Sequence, residues 1–485
     1  MLRQLRPGLP DVTVDTLETV GTQTALSTGG MVVSGLVRFA YSTLIGGVLG
    51  KVALGQVNSS ISLALFASLL YPGASAMAVT KFLARSRGAG DLAEGRAVTG
   101  HLIKVTYATG AVLGVLTVVA SPALLHFSWT EAVITGVLVV ATAGYLFARS
   151  LLFGAGRVAR ATAWDCLTAL LSIVLLVAAL LGRVTWLLLL PLLIGYALYA
   201  VCNLPRRSDA PLAPALRAEM NAFIHVALIN SLATSGVLQL SMVATQHWDQ
   251  TEAGSYAAAL ALATPASLVS RSISSVLFPT LAKAHGRGDA EGARSQVDTL
   301  TRGLFLVSLA MFGPLMVVSP TLIGVLFPRR ELATGALVLP ILLCAVMLQN
   351  MVIAPMNTLM TRSQRDARTV MWSSVGGAVV SAVTWAIAAP SGGFVAVAWG
   401  YLAGALVSSL IPFAVVWRQQ SMAWAAPVLR VALGVGAASV LAWWVHAQHA
   451  SVLAQVVAAL GLLLAWLLVS WRDTRAVVRL ASHRA

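Results

Sequence analysis

Leu83-Ala84-Arg85-Ser86-Arg87-Gly88-Ala89-Gly90-Asp91 recurs in this chain as Leu281-Ala282-Lys283-Ala284-His285-Gly286-Arg287-Gly288-Asp289, 198 residues later. The same offset, without a gap, places Ser121-Pro122 on Ser319-Pro320 and Leu124 on Leu322. A register shared from 83 to 124 points to an internal duplication. Each copy follows a long apolar run and precedes another, so the repeated tract reads as a polar turn joining two helices. It contains no lysine-serine pattern of a phosphate-binding P-loop.

Working outward, apolar runs of about 20 residues recur throughout, each long enough to cross about 30 Å of hydrocarbon. They predict spans near 24–50, 54–80, 101–121, 131–153, 163–182, 184–204, 221–244, 253–281, 300–327, 334–360, 369–389, 393–417, 427–446 and 450–471. The expected fold class is therefore an all-α polytopic membrane protein with about fourteen transmembrane helices. Composition agrees. Only 10% of the 485 residues are charged, 58% are hydrophobic and the mean hydropathy is +0.84, whereas soluble domains carry about 25% charged residues. A sizeable soluble domain has no room.

The net charge of +15 would suggest nucleic acid in a soluble protein. In a membrane bundle it reports orientation, because cytoplasmic loops collect lysine and arginine. With the amino terminus inside, 26 of the 32 basic residues fall in cytoplasmic segments. Only Lys51, Arg183, Arg329 and Arg330 fall outside, while Arg38 and Arg271 lie within spans. An error in the span count would scramble this bias, so fourteen spans with both termini cytoplasmic is the consistent reading. The expected organisation is a cytoplasmic tail over 1–23, a six-helix lobe over 24–204, a cytoplasmic linker over 205–220 and a second lobe over 221–417. Two extra transmembrane helices follow over 427–471, then a tail over 472–485. Because six is even, the two lobes share one orientation; transporters built from such parallel repeats hold substrate between them and alternate access by rocking. The acids Asp11, Asp15 and Glu18 make the first twenty residues a polar tail rather than a signal peptide. Cys166, Cys202 and Cys344 lie in apolar stretches without metal-ligand spacing and read as small buried hydrophobes. No metal and no cofactor is expected.

The turn tracts also carry a resemblance. Ser275-Val276-Leu277-Phe278-Pro279-Thr280-Leu281-Ala282-Lys283, followed by Gly286-Arg287-Gly288-Asp289, resembles the end of the eighth helix in polysaccharide flippases of the multidrug/oligosaccharidyl-lipid/polysaccharide exporter superfamily. Pro72-Gly73-Ala74-Ser75-Ala76 with Lys81 through Asp91 is the matching stretch of the first half, and Gly50 through Val57 resembles that family's turn between helices one and two. The resemblance covers roughly residues 24–417. It implies a V-shaped bundle of two six-helix lobes that exports undecaprenyl-diphosphate-linked oligosaccharide, as in O-antigen or capsule assembly, across a bacterial cytoplasmic (inner) membrane. It also implies membrane lipids and a lipid-linked saccharide as partners, no nucleic acid, and polysaccharide polymerase and ligase machinery as candidate companions. Lipid II flippases of the superfamily typically carry an arginine upstream of the proline in the eighth helix. Ser255-Tyr256-Ala257-Ala258-Ala259-Leu260 has none. Drug exporters of the superfamily usually carry membrane carboxylates for cation coupling, and here Asp165 and Glu131 are expected at span ends.

Arg38 is the sharpest single signal. A mid-bilayer arginine costs at least about 2.5–3.5 kcal/mol on insertion scales, so it needs a wet or polar environment. Ser27, Ser34, Arg38 and Ser42 recur at helical spacing on one face. On helix eight, Thr264, Ser267, Arg271 and Ser274 repeat that design. Two separated guanidinium groups, each a rigid fork matched to phosphate oxygens, suit a lipid diphosphate that must bind and leave. The alternative for each arginine is a partner on a neighbouring helix. Asn230, Thr234 and Gln239 on helix seven, with Gln349, Asn350 and Asn357 on helix ten, are candidate sugar-binding groups. Their competing role is hydrogen bonding between helices. A membrane glycan polymerase or glycosyltransferase is the rival outside transport, but the short outer loops assemble no general acid/base pair. The chain is not expected to be an enzyme.

Overall fold

The computed structural model describes residues 20–182, 187–205, 211–265 and 290–471, and among them the regular elements are helical. The chain forms two compact units, Met1–Val48 with Val52–Gln250, and Leu49–Lys51 with Thr251–Ala485. The first contains α1 (Val20–Leu49), α2 (Lys51–Leu69), α3 (Tyr71–Gly88), α4 (Leu92–Leu125), α5 (Trp129–Gly154) and α6 (Val158–Leu181). It continues with α7 (Leu190–Asn203), α8 (Pro214–Ser231), a π-helical turn over Leu232–Gly236 and α9 (Val237–Trp248). The second contains α10 (253–265), α11 (Ala290–Val317), α12 (Ser319–Leu326), α13 (Gly335–Met351), α14 (Ile353–Arg362) and α15 (Gln364–Gln419). The last two helices are α16 (Ala425–Ala447) and α17 (Val452–Val469).

Every predicted span falls wholly or partly on a helix. Among the described residues eight helices are long and apolar enough to cross a membrane, and α13 with α14, bent by 44°, makes a ninth. The chain is thus an all-α polytopic membrane protein. Both copies are followed by a helix, α4 over Leu92–Leu125 and α11 over Ala290–Val317, covering positions related by the 198-residue offset. Asp91 caps α4 by accepting the Glu94 backbone N–H at 2.9 Å. Glu131, expected at a span end, is there as half of a capping box with Ser128.

Several predicted spans are broken, each at a residue that disrupts the helical ladder. The second is cut at Leu70, where Pro72 in the first turn of α3 cannot donate to the preceding turn. By contrast Gly393, at φ +54° and three residues after Pro390, separates the two halves of α15 where the sequence placed the boundary between spans 369–389 and 393–417. The seventh span is interrupted by the π turn, a rare device that often marks functional positions.

In the first unit α3, α4, α5 and α8 meet through Phe82, Val98, Leu102, Phe147, Met220 and Ile224, all buried. In the second, α11 packs on α13, α16 and α17. The final pair is therefore bound to the bundle along α11, with Trp466 Nε1 donating to the Leu306 carbonyl at 3.0 Å. Its other faces are apolar and uncovered, as lipid contact requires: Leu433, Trp443, Leu453 and Leu468 are all exposed. The three cysteines are free; Cys202 is buried, but Cys166 is exposed on α6. It faces outward because the buried positions of α6, such as Ala161, Asp165, Thr168 and Ser172, follow another stripe.

Residues 49–51, the turn between α1 and α2, sit in the second unit. Gly50 adopts φ +88°, and a Cβ there would collide with Glu331 Oε1, so only glycine fits. The Lys51 backbone N–H donates to Glu331 Oε1 at 3.0 Å, and Lys51 Nζ pairs with Glu252 at 2.5 Å. Thr334 donates to the other Glu252 oxygen at 2.6 Å, beside the Ser255 hydroxyl. Burial works against the Glu252 charge, but hydrogen bonds from Lys51, Thr334 and Ser255 outweigh it and hold the carboxyl below its ordinary value of 4.5. A carboxylate depressed in the fold stabilises above its unfolded pKa and ceases to do so as pH falls through the folded one. Glu252→Gln is expected to lower the thermal midpoint by a constant amount above about pH 5, with the gap closing below that. Melting curves of both proteins across pH check this. A gap unchanged at about pH 3 would remove the ion pair from the explanation.

Candidate functional site

Arg38 sits roughly midway along α1 and is half-buried. Its Nη2 donates to Gln239 Oε1 on α9 at 3.5 Å, and the Gln239 side chain belongs to a buried residue. The expected stripe is partly realised. Ser42, one turn on, is buried and donates to Asn58 Oδ1 on α2 at 3.1 Å, while Asn58 Nδ2 donates to the Leu54 carbonyl. Ser59 of α2 in turn donates to Gln246 of α9 at 3.3 Å. Helices α1, α2 and α9 of the first unit are therefore linked by hydroxyls and amides beside a guanidinium. Residues Arg38 and Gln239 come together as cation and amide; Arg271 and the side chains of Ser34, Asn230 and Thr234 lie outside the described residues. Residue 234 falls in the π turn and residue 230 just before it.

A second polar centre of the first unit is built on aromatic rings. The Tyr196 ring stacks on Tyr145 with centroids 4.7 Å apart. Tyr145 donates to Asp165 Oδ1 at 3.1 Å, and Arg149 Nε donates to Asp165 Oδ2 at 2.9 Å. The Asp165 side chain is 1% exposed and that of Arg149 19%. Sequence reading placed Asp165 at a span end and Arg149 in a cytoplasmic segment. Instead Asp165 lies two turns inside α6, facing Arg149 of α5. Gly30 of α1 packs directly on this pair: a Cβ there would lie 2.9 Å from Asp165 Oδ2 and 3.5 Å from Arg149 Nη2. Close approach of the α1 backbone requires the missing side chain.

Gln349 and Asn350 close α13 just before the bend, and Asn357 lies on α14. Asn350 and Asn357 are buried, and Gln349 hydrogen-bonds the Tyr401 phenol of α15. These amides form a separate polar stretch within the second unit. Three groups escaped sequence reading: Asn58, Gln246 and the Arg149–Asp165 pair. An acid and an arginine in neighbouring apolar runs, flanked by Tyr145, Tyr196 and Tyr199, was the available signal for the last.

The arrangement in the first unit offers a cation, amide and hydroxyl donors, and aromatic faces. That set suits an anionic, hydroxyl-rich ligand. Among the described residues no cluster of histidine, cysteine and carboxylate could hold a metal.

Comparison with known proteins bears on the same point. A family model described as "Polysaccharide biosynthesis protein" matches residues 105–333. Among the curated proteins none matches the chain. The solved structures that resemble it include the lipid II flippase MurJ in an inward closed conformation, with a TM-score of 0.70 at 11% identity, covering 93% of this chain and 99% of that one. An inward-facing multidrug resistance MATE family transporter of the MOP superfamily gives a TM-score of 0.61 at 13% identity, covering 85% and 97%. A MOP superfamily transporter from Pyrococcus furiosus, described as having a binding pocket of reversed polarity, gives 0.58 at 14%, covering 87% and 98%. At such identities the likeness is one of fold.

Proposed function

We propose that this chain, which has the MOP-superfamily fold and carries the polysaccharide-biosynthesis signature over 105–333, is a flippase for an undecaprenyl-diphosphate-linked oligosaccharide. It moves the saccharide from the inner to the outer leaflet of a bacterial cytoplasmic membrane by alternating access, with both termini in the cytoplasm. The observation that carries this reading is Arg38, a half-buried cation within an apolar helix, whose Nη2 donates to the Gln239 amide of α9 beside the hydroxyls and amides of α1 and α2. A guanidinium stays charged at any relevant pH and presents a planar fork of donors that matches phosphate oxygens. Gln239, Asn58 and the tyrosines supply the amide, hydroxyl and ring surfaces that sugars need. Arg271 is assigned the corresponding role in the second half. An inside-negative membrane potential favours outward movement of the anion by about 2.3 kcal/mol per charge per 100 mV.

Lipid II is the second reading, supported by the MurJ likeness. It shares the lipid diphosphate but differs in the sugar, and the stretch 255–260 lacks the arginine expected of it. Deleting the gene and identifying the lipid-linked intermediate that accumulates on the inner leaflet separates the two. An oligosaccharide diphosphate lipid is the expected product. Lipid II in its place favours the second reading, and no lipid-linked sugar of any kind overturns both.

A further inference from the structure

Between α15 and α16 the chain turns within residues 420–424, and the turn holds a residue in a conformation that suits glycine better. The Met422 N–H donates to the Trp417 carbonyl at 3.1 Å and the Ser421 N–H to the Arg418 carbonyl at 3.4 Å, the pattern that ends a helix on a left-handed residue. That residue is Ser421, at φ +48°. Glycine takes this conformation freely, whereas serine is strained there, and such strain gathers at functional positions. What serine adds is a hydroxyl, and it borders a pocket.

The pocket is lined by Ala414, Trp417, Arg418, Ser421 and Met422 and holds about 420 Å³, room for a phosphorylated headgroup. Its indole wall is braced: Trp417 meets Phe413 edge-on with centroids 5.6 Å apart, and Phe413 stacks on Trp424 at 4.9 Å. Trp424 Nε1 in turn donates to Asp298 of α11 at 2.7 Å. Its charge is positive. Arg418 is exposed and makes no ion pair among the described residues. Arg294 of α11, likewise without an ion pair, donates through Nη2 to the Ser421 carbonyl at 3.1 Å. Two acids of the neighbouring elements are engaged elsewhere, Asp298 by Arg302 and Trp424, and Asp366 by Ser363 and Gln419. Helix α16 then opens at Ala425 with neither a side-chain cap nor an acid in its first turn, so the positive end of its dipole adds to the field. Beside the pocket the surface is hydrocarbon. Leu410 and Ile411 are exposed, and Ile411, Ala414 and Arg418 fall on one face of α15.

We propose that this pocket binds one anionic glycerophospholipid of the surrounding membrane, its phosphate on Arg418 and the Ser421 hydroxyl and its acyl chains along Ile411 and Leu410. Charge complementarity identifies the head: basic pockets at a membrane surface select acidic lipids, and a guanidinium fork with a hydroxyl beside it matches phosphate oxygens. The exposed leucine and isoleucine identify the rest, because a soluble anion leaves them uncovered. The arginine bias predicts this end of α15 to be cytoplasmic, so the lipid is one of the inner leaflet. Pocket and acyl path both belong to the second unit, and the inference does not depend on which substrate the chain transports.

The test uses the full chain purified in a neutral detergent and mixed with equal amounts of phosphatidylglycerol and phosphatidylcholine, with bound lipid counted by native mass spectrometry. One phosphatidylglycerol per chain is expected, retained at least about fivefold over phosphatidylcholine, the scale of one guanidinium at an acidic headgroup. Arg418→Gln should bring the two lipids level, and Arg418→Lys should keep part of the difference. Ser421→Gly relieves the turn, so it should weaken the preference about twofold without lowering the thermal midpoint. A merely structural Ser421 would not separate those two readouts. Arg96→Gln, in the first unit, should leave the preference alone. Should Arg418→Gln fail to fold, a photoactivatable phosphatidylglycerol on the wild-type chain replaces it, and cross-links are expected in the second half of α15 or the turn after it. Equal retention of both lipids, displacement by millimolar glycerol phosphate, a preference unchanged in Arg418→Gln or Ser421→Gly, or cross-links confined to other segments each overturn the proposal.

Discussion

Arg38→Gln is expected to cut transport of the lipid-linked oligosaccharide by roughly 30-fold or more, while the protein still folds and inserts. The magnitude follows from removing one partner of a desolvated charge pair, which costs about 2–5 kcal/mol, and about 1.4 kcal/mol is a factor of ten. A glutamine at 38 can still hydrogen-bond the Gln239 amide that Arg38 Nη2 meets. Arg38→Lys keeps the charge but loses the planar fork, so an intermediate loss of about tenfold is expected. Flux of labelled lipid into proteoliposomes, alongside rescue of the deletion strain, measures both. The pattern distinguishes binding from scaffolding: a purely structural Arg38 would lower stability in step with flux. Wild-type flux from well-folded Arg38→Gln removes this residue from the export mechanism.

Much of the fold was legible because lipid imposes a single rule. Each span must be apolar for about 20 residues, so the apolar runs mark where the helices lie. The duplication was equally legible, since the tract ending at Asp91 and its copy ending at Asp289 are each followed by a long helix. What sequence could not yield were the breaks. Pro72 signals its own kink, but the π turn at Leu232–Gly236 contains no proline, and its sequence reads as ordinary helix. Site residues followed the same division. Arg38 stood out because a charge in hydrocarbon is conspicuous, and Gln239 because it is an amide within an apolar run. Asn58 did not, hidden in a run of small polar residues that all look alike until α1 is set beside α2. Asp165 was misplaced for a related reason: an acid near a span end looks solvated unless the facing arginine, sixteen residues earlier on another helix, is known to point at it.

That arginine sets up the largest expected change in stability. Asp165→Ala should destabilise the protein by about 3–5 kcal/mol, the usual result of leaving one member of a buried ion pair alone. Here the exposure of the two side chains, 1% and 19%, means Arg149 would keep its charge with little water to replace the carboxylate. Its Nη2 already lacks a hydrogen-bond partner among the described residues, so the remaining donors have no slack. The pair itself is a different matter. Replacing Asp165 by leucine and Arg149 by methionine removes both charges and fills the space with hydrocarbon, and such exchanges are often neutral or stabilising. The double variant is therefore expected to recover most of the loss, with Tyr145 alone missing its acceptor. Denaturant or thermal unfolding of the two single variants and the double variant closes the cycle. If Asp165→Ala unfolds with the wild type, the pair carries no stability, and α5 and α6 are held by their apolar contacts alone. If the double variant folds well but no longer transports, the ion pair belongs to the transport cycle.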